Sequence, residues 1–166
     1  MSRLHADLAG GPNVCAFLDM IAFSEIGTAM LNASDEGYNV IVGSRPGKMI
    51  LFDSYADHPR KLVDIRPGLK STAAGRYQLL SRFFDPYKKL LRLTDFSPEA
   101  QDAIAIQQIR ECRAIPLIQA GRFTDAVMKC KHIWASLPGA GYGQHENTLG
   151  RLETAYRMAG GKLAIA

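Results

Sequence analysis

Cysteine is scarce in this sequence: Cys15, Cys112 and Cys130 are the only three in 166 residues. An odd number at wide spacing argues against a disulfide framework and a zinc site, and fits free thiols in a reducing compartment. Histidine is scattered as His5, His58, His132 and His145, with no pair at ligand spacing, so neither a metal nor another cofactor is expected. Apolar runs such as Met49 to Phe52 are far too short to span a bilayer, so no stable membrane insertion is expected. No apolar core follows Met1 to Asp7, and no secretory signal is expected. There is no run of five like charges, no internal repeat, and no linker that would split the chain. With 47% hydrophobic and 22% charged residues, the composition is that of a soluble globular protein with one ordinary domain.

What is present is a modest positive excess, +4. It favours anionic partners, among them nucleic acid, acidic lipid and bacterial wall polymers. No helix carries clustered Arg and Lys, which counts against nucleic acid. Residues 1–13 contain Gly10-Gly11-Pro12 and read as a flexible arm ahead of a domain over 14–166. Val14 to Glu25 reads as an amphipathic helix. Tyr38 to Val42 and Lys48 to Phe52 read as strands around Ser44-Arg45-Pro46-Gly47, with Leu62 to Ile65 as a short third. The rest reads as helix: Ala74 to Phe84, stopped at Asp85-Pro86; a short helix through Leu91; Ser97-Pro98 to about Cys112; Pro116 to Gln119; Thr124 to about Trp134; and Thr148 to Met158. The expected class is α+β, a small antiparallel sheet lobe beside a mainly helical lobe with a cleft between them.

Glu25 is the residue with the most chemical content. Val14, Phe17, Leu18 and Ile21 mark an apolar stripe at helical spacing, and Glu25 falls near its middle. A carboxylate there is desolvated and sits at the negative end of the helix dipole, and both disfavour its charged form. A carboxylic acid that keeps its proton near neutral pH suits general-acid chemistry. A Glu on an apolar face also serves as a structural ion-pair partner, so the position alone does not decide. Gly27 and Thr28 follow, which ends the helix in a loop.

Other chemistries fit poorly. There is no Gly-x-Ser-x-Gly, and the cysteines lie within helical patterns. Gly139-Ala140-Gly141-Tyr142-Gly143 follows no strand and precedes no Lys-Ser/Thr, so it reads as an aromatic-bearing loop rather than a phosphate loop. Acid chemistry remains. Glycoside cleavage commonly uses two carboxyls, about 5–5.5 Å apart for retention or about 6.5–9.5 Å for inversion. Asp35, Glu36, Asp53 and Asp57 are candidates for a second, but all lie in polar loops without the apolar setting of Glu25.

Several stretches resemble the bacteriophage lambda lysozyme (endolysin) family. They are Ala16 to Met20 with Ser24-Glu25, Asp57 to Leu62, Lys70 to Arg82, Asp95 to Pro98, and Ile133 to Gln144. The resemblance runs from about Ala16 to Gly161. It implies a lysozyme-like α+β fold and a peptidoglycan lytic transglycosylase, cutting between N-acetylmuramic acid and N-acetylglucosamine with a 1,6-anhydromuramic product. It puts the catalytic acid on Glu25 and the substrate-binding block on Gly75-Arg76-Tyr77-Gln78. Ser71, Asp57, Tyr142 and Gln144 complete the implied glycan contacts, Tyr142 by stacking on a sugar. Flexible lips are implied near Asp53 to Asp57 and over Leu137 to Gln144. One departure is local: the family Glu is followed directly by Gly-Thr, whereas Ile26 intervenes here.

The resemblance further implies a monomer acting on peptidoglycan strands. It would be made in the host bacterial cytoplasm and reach the periplasm through a separate holin-type pore. Two alternatives stay beside it. One is a hydrolytic muramidase on the same fold, with Asp53 or Asp57 positioning water. The other is a small basic module that binds nucleic acid, marked by steep salt dependence.

Overall fold

The computed structural model describes residues 1–143 and 145–164. They form eight helices and one two-stranded antiparallel sheet, so the expected α+β class holds. The helices are α1 (Ala6–Ala9), α2 (Pro12–Ile26), α3 (Thr28–Asn32), α4 (Ser81–Leu91), α5 (Pro98–Glu111), α6 (Ile115–Gln119), α7 (Phe123–Cys130) and α8 (Leu149–Met158), and the strands are β1 (Val63–Arg66) and β2 (Leu69–Ser71). The chain groups into two compact units. One comprises Met1–Glu25 with Ala105–Ala166, the other Ile26–Ile104.

In the first unit, α2 opens on Pro12, whose missing N–H is no loss at a helix start. The expected boundary at residue 13 therefore falls inside a helix, and α1 occupies part of the expected arm. Ties hold this stretch. Asn13 donates through Nδ2 to the carbonyls of Ile118 (3.0 Å) and Lys162 (3.1 Å) and accepts from the Lys162 amide at 2.9 Å. The Ser2 amide donates to Asp19 at 2.8 Å. Val14, Phe17, Leu18 and Ile21 are buried as the stripe predicts, but so are Ala16, Met20 and Ala22. The helix is thus enclosed on most sides rather than amphipathic. Phe17, Phe123 and Tyr156 pack as an aromatic cluster, with Phe123 and Tyr156 centroids 5.0 Å apart. Thr148 caps α8 by accepting from the Arg151 amide, as its sequence suggests. By contrast, α7 starts at Phe123 without a side-chain cap and stops at Cys130, short of the expected Trp134.

In the second unit the expected third strand, Leu62 to Ile65, overlaps the observed β1, whereas the first two expected strands are not regular. Tyr38 to Val42 and Lys48 to Phe52 meet through one isolated bridge, Val40 to Leu51, with a second, Arg45 to Lys48, across the turn between them. The Ser44 hydroxyl takes over part of the pairing: it donates to the Ile50 carbonyl at 3.0 Å and accepts from the Ile50 amide at 2.9 Å. The Ile50 carbonyl still accepts from the Ile41 amide at 2.8 Å, but with the Ile50 amide held by a side chain the ladder stops there. The regular pair is β1 and β2, with Val63 opposite Ser71 and Asp64 opposite Lys70. Its turn is Pro67-Gly68, with Gly68 at φ +77°.

The stretch expected as helix from Ala74 is a tight turn to Leu79. Ala74 and Leu79 exchange both backbone bonds, and Gly75 and Gln78 have positive φ. Gly75 is required twice over: its φ is +80°, and a Cβ there would lie 2.2 Å from Gln101 Oε1. That oxygen accepts from the Arg76 amide, while Gln101 Nε2 donates to the carbonyls of Tyr38 and Phe96. α4 begins only at Ser81 and runs through Pro86 to Leu91, so Asp85-Pro86 does not stop it. Ile41, Phe52, Ala74, Leu79, Phe84, Phe96 and Ile104 form the core.

Asp102 is fully buried, and its Oδ1 accepts from the hydroxyls of Tyr38 (2.9 Å) and Tyr77 (2.7 Å). Removing that acceptor breaks a buried bond from each of two hydroxyls, at about 1–3 kcal/mol each. Asp102→Ala should lower stability by roughly 3 kcal/mol in urea denaturation. Asp102→Asn, which keeps an oxygen there, should lose less.

Candidate functional site

α2 delivers Glu25 one residue before its end, where Gly27 at φ +79° breaks the helix. Ile26 extends the helix by one residue and is itself buried. Glu25 is part-exposed, yet the protein packed about its carboxyl pushes its pKa up from the ordinary 4.5. Two contacts from Ser136 oppose the rise without reversing it. The Ser136 hydroxyl donates to Oε1 at 2.5 Å, and the Ser136 amide points at the same oxygen from 3.4 Å.

Ser136 is held in turn. The hydroxyls of Ser24 and Ser136 are 2.7 Å apart. Asn147 Nδ2 donates to Ser24 Oγ (3.2 Å) and to the Ser24 carbonyl (3.3 Å). The Asn147 amide donates to the Ser136 carbonyl at 2.8 Å. Ser24 and Asn147 are buried. Ser24, Ser136 and Asn147 were not among the residues singled out from the sequence. Ser136 lies 111 positions from Glu25, and no local spacing joins them. The available signal was that Ser24 and Ser136 both fall inside the family-like blocks.

The loop after Trp134 belongs to the same unit. Glu146 accepts from the amides of Gly139 and Gly141, both at 2.8 Å. Those two bonds hold its pKa below the usual carboxylate range. Tyr142 is 53% exposed, and its hydroxyl donates to the His132 carbonyl at 2.9 Å. Gln144 lies outside the described residues.

The second unit carries the other sequence-selected residues. Tyr77 is only 4% exposed, with its hydroxyl on Asp102; burial, first, and that carboxylate raise its pKa well above the usual phenol value. Gln78 is half-buried at φ +48°, and its Nε2 donates to the Gly75 carbonyl at 2.9 Å. Ser71 ends β2 and accepts from the Ala73 amide at 3.1 Å.

Asp57 is exposed and paired. Arg60 bonds it at 3.1 Å and reaches Asp85 at 2.6 Å, while Lys88 lies 3.6 Å from Asp57. The Arg60 hydrogen bond, chiefly, lowers the Asp57 pKa. Asp53 is exposed, and Asp35 accepts from the Tyr55 hydroxyl at 2.7 Å. His58 is buried against Phe84 and Phe96 and bonds the Leu79 carbonyl at 2.9 Å; burial lowers its pKa, so it stays neutral. Among the described residues no cluster of three or more His, Cys, Asp or Glu is arranged to hold a metal ion.

The arrangement around Glu25 favours its protonated form beyond that of a free carboxyl while giving the anion a hydroxyl donor. A raised carboxyl pKa favours the folded state at low pH, and that advantage is lost as pH rises from the unfolded value through the folded one. Glu25→Gln lacks this loss. Its stability relative to the parent should therefore improve as pH rises above 4.5, read from thermal melts across pH. Glu146→Ala should speed hydrogen exchange at the Gly139 and Gly141 amides, leaving α8 unchanged.

The chain is similar to known proteins over most of its length. A family model described as Endolysin matches residues 15–163. The chain is 54% identical to the endolysin of Escherichia phage lambda over 148 residues, 88% of this chain and 90% of that protein. It is 52% identical to the endolysin of Escherichia phage P2 over 155 residues, 90% and 93% of the two chains. Among solved structures, bacteriophage lambda lysozyme complexed with a chitohexasaccharide superposes with a TM-score of 0.85 at 52% identity, covering 92% of this chain and 97% of that one. The fold is therefore lysozyme-like, as the sequence resemblance implied.

Proposed function

The chain belongs to the endolysin family, and from that premise we propose that it cleaves the bond between N-acetylmuramic acid and N-acetylglucosamine in bacterial peptidoglycan by lytic transglycosylation. The observation that carries this reading is the Glu25 carboxyl, raised in pKa by burial yet served by a hydroxyl donor on one oxygen. Such a group can act twice. Protonated Glu25 gives its proton to the glycosidic oxygen, and the bond to the muramic C1 breaks with positive charge developing on that carbon. The substrate's N-acetyl group stabilises that charge. Glu25, now anionic, takes the proton of the C6 hydroxyl as its oxygen bonds to C1. The products are a strand ending in N-acetylglucosamine and a 1,6-anhydromuramic end; Glu25 has regained its proton and no water is consumed.

Three further points support it. A one-carboxyl route needs no second base, and Asp57, ion-paired and lowered in pKa, is a weak one. The lambda lysozyme that shares the fold was solved with a chitohexasaccharide, a glycan of one of the two sugars of the wall strand. The net charge of +4 suits an anionic wall polymer.

Gln78, Ser71, Asp57, Tyr142 and Gln144 are the proposed glycan contacts, with the exposed Tyr142 ring suited to stacking. Tyr77 has its ring enclosed and its hydroxyl on Asp102, so its part in holding sugar is to fix the turn that presents Gln78. No helix among the described residues is long and apolar enough to cross a membrane. The reading carries with it a monomer made in the host cytoplasm that reaches the wall through a separate holin-type pore.

Mass spectrometry of digested peptidoglycan tests the chemistry. Anhydro-ended muropeptides, lighter by one water than reducing-end products, are expected; reducing-end products alone would establish hydrolysis instead. Glu25→Gln should fold and lose at least about a hundredfold in wall-clearing rate, the scale of a general acid–base contribution.

A further inference from the structure

We infer that Ser136 is a positioning residue for Glu25, fixing Oε1 as the accepting oxygen and leaving Oε2 to carry the transferable proton. The inference rests on Glu25 being the acid and adds which oxygen acts and what decides it. In a protonated carboxyl one oxygen accepts and the other holds the hydrogen. Both donors from Ser136, the hydroxyl at 2.5 Å and the amide at 3.4 Å, converge on Oε1. A proton on Oε1 would face them. Among the described residues no hydrogen bond ends on Oε2.

The direction of the Ser136 proton is set upstream. An amide nitrogen donates and does not accept, so Asn147 Nδ2, 3.2 Å from Ser24 Oγ, fills an acceptor site on that hydroxyl. Ser24 then has a single proton to give, and Ser136 Oγ at 2.7 Å is a nearer acceptor than the Ser136 carbonyl at 3.4 Å. Ser136, having received one, gives its own to Glu25. The order Asn147 to Ser24 to Ser136 to Glu25 uses each hydroxyl once as donor and once as acceptor. The Asn147 amide bond to the Ser136 carbonyl, 2.8 Å, holds the backbone that aims the last hydroxyl.

The same hydroxyl has a second consequence. A donor of this kind favours the carboxylate over the acid, and burial opposes it. Ser136 thus keeps the anion accessible for the proton-accepting half of the cycle while burial keeps the acid accessible for the first half.

The test is the pH dependence of kcat/KM on purified sacculi for the parent, Ser136→Ala and Ser136→Thr. Ser136→Ala should move the alkaline limb, set by ionisation of the acid, to higher pH, and lower the plateau rate about tenfold to a hundredfold. Ser136→Thr, which keeps a hydroxyl, should restore the limb to its parent position. A Ser136→Ala enzyme with an unmoved limb, in a protein whose Glu25→Gln variant is inactive, overturns the role of Ser136 and leaves the acid standing. An active Glu25→Gln overturns the acid reading itself. Should Ser136→Ala not fold, Ser24→Ala carries the same test from one bond further back: a limb moved upward supports the relay, and an unmoved limb overturns it.

Discussion

A carboxyl group desolvated at the end of a buried helix is the constraint around which the first unit is arranged. Glu25 can stay there only because α2 is enclosed on most sides, with Val14, Ala16, Phe17, Leu18, Met20, Ile21 and Ala22 all out of water. That enclosure disfavours the charge. It also requires that nearby polar groups find partners within the protein, which Ser24, Ser136 and Asn147 do through one another. The hydrogen-bonded chain and the altered acidity are two results of the same burial.

The second unit meets a similar demand in another way. Asp102 takes two tyrosine hydroxyls, and the Gln101 side chain serves one amide and two carbonyls. These neighbours on α5 hold Tyr38, the turn at Gly75 and the segment at Phe96 in register, beside a core of Phe52, Phe84 and Phe96. Polar groups inside this unit give it geometric definition that a purely apolar core of mixed short segments would lack. Gln78 inherits its position from that scaffold.

What the sequence disclosed follows from how local each determinant is. α5 and α8 were legible because their starts are marked by Ser97-Pro98 and by the Thr148 cap and their apolar residues recur at helical spacing. The expected Leu62 to Ile65 strand overlaps β1, but Tyr38 to Val42 and Lys48 to Phe52 form no regular pair because the Ser44 hydroxyl takes the Ile50 amide that would continue their ladder. β1 is largely exposed, and β2 has only three residues, too few for its alternation to stand out. Ala74 to Leu79 imitated a helix because Tyr77, Leu80, Phe83 and Phe84 share helical spacing; Gly75 and the distant Gln101 decide otherwise. Glu25 was legible from its place on an apolar stripe. Its partners were not, because Ser136 and Asn147 come to it from more than a hundred residues away.

That separation also orders events in time. The unit holding Glu25 is assembled from Met1–Glu25 and Ala105–Ala166, whereas the other is one continuous stretch, Ile26–Ile104. On the ribosome the continuous stretch is complete while the earlier helix still lacks most of its packing partners. The altered acidity of Glu25 and its hydroxyl donor arrive together, only once Ser136 and Asn147 have been made. The environment of this carboxyl is therefore a property of the completed chain.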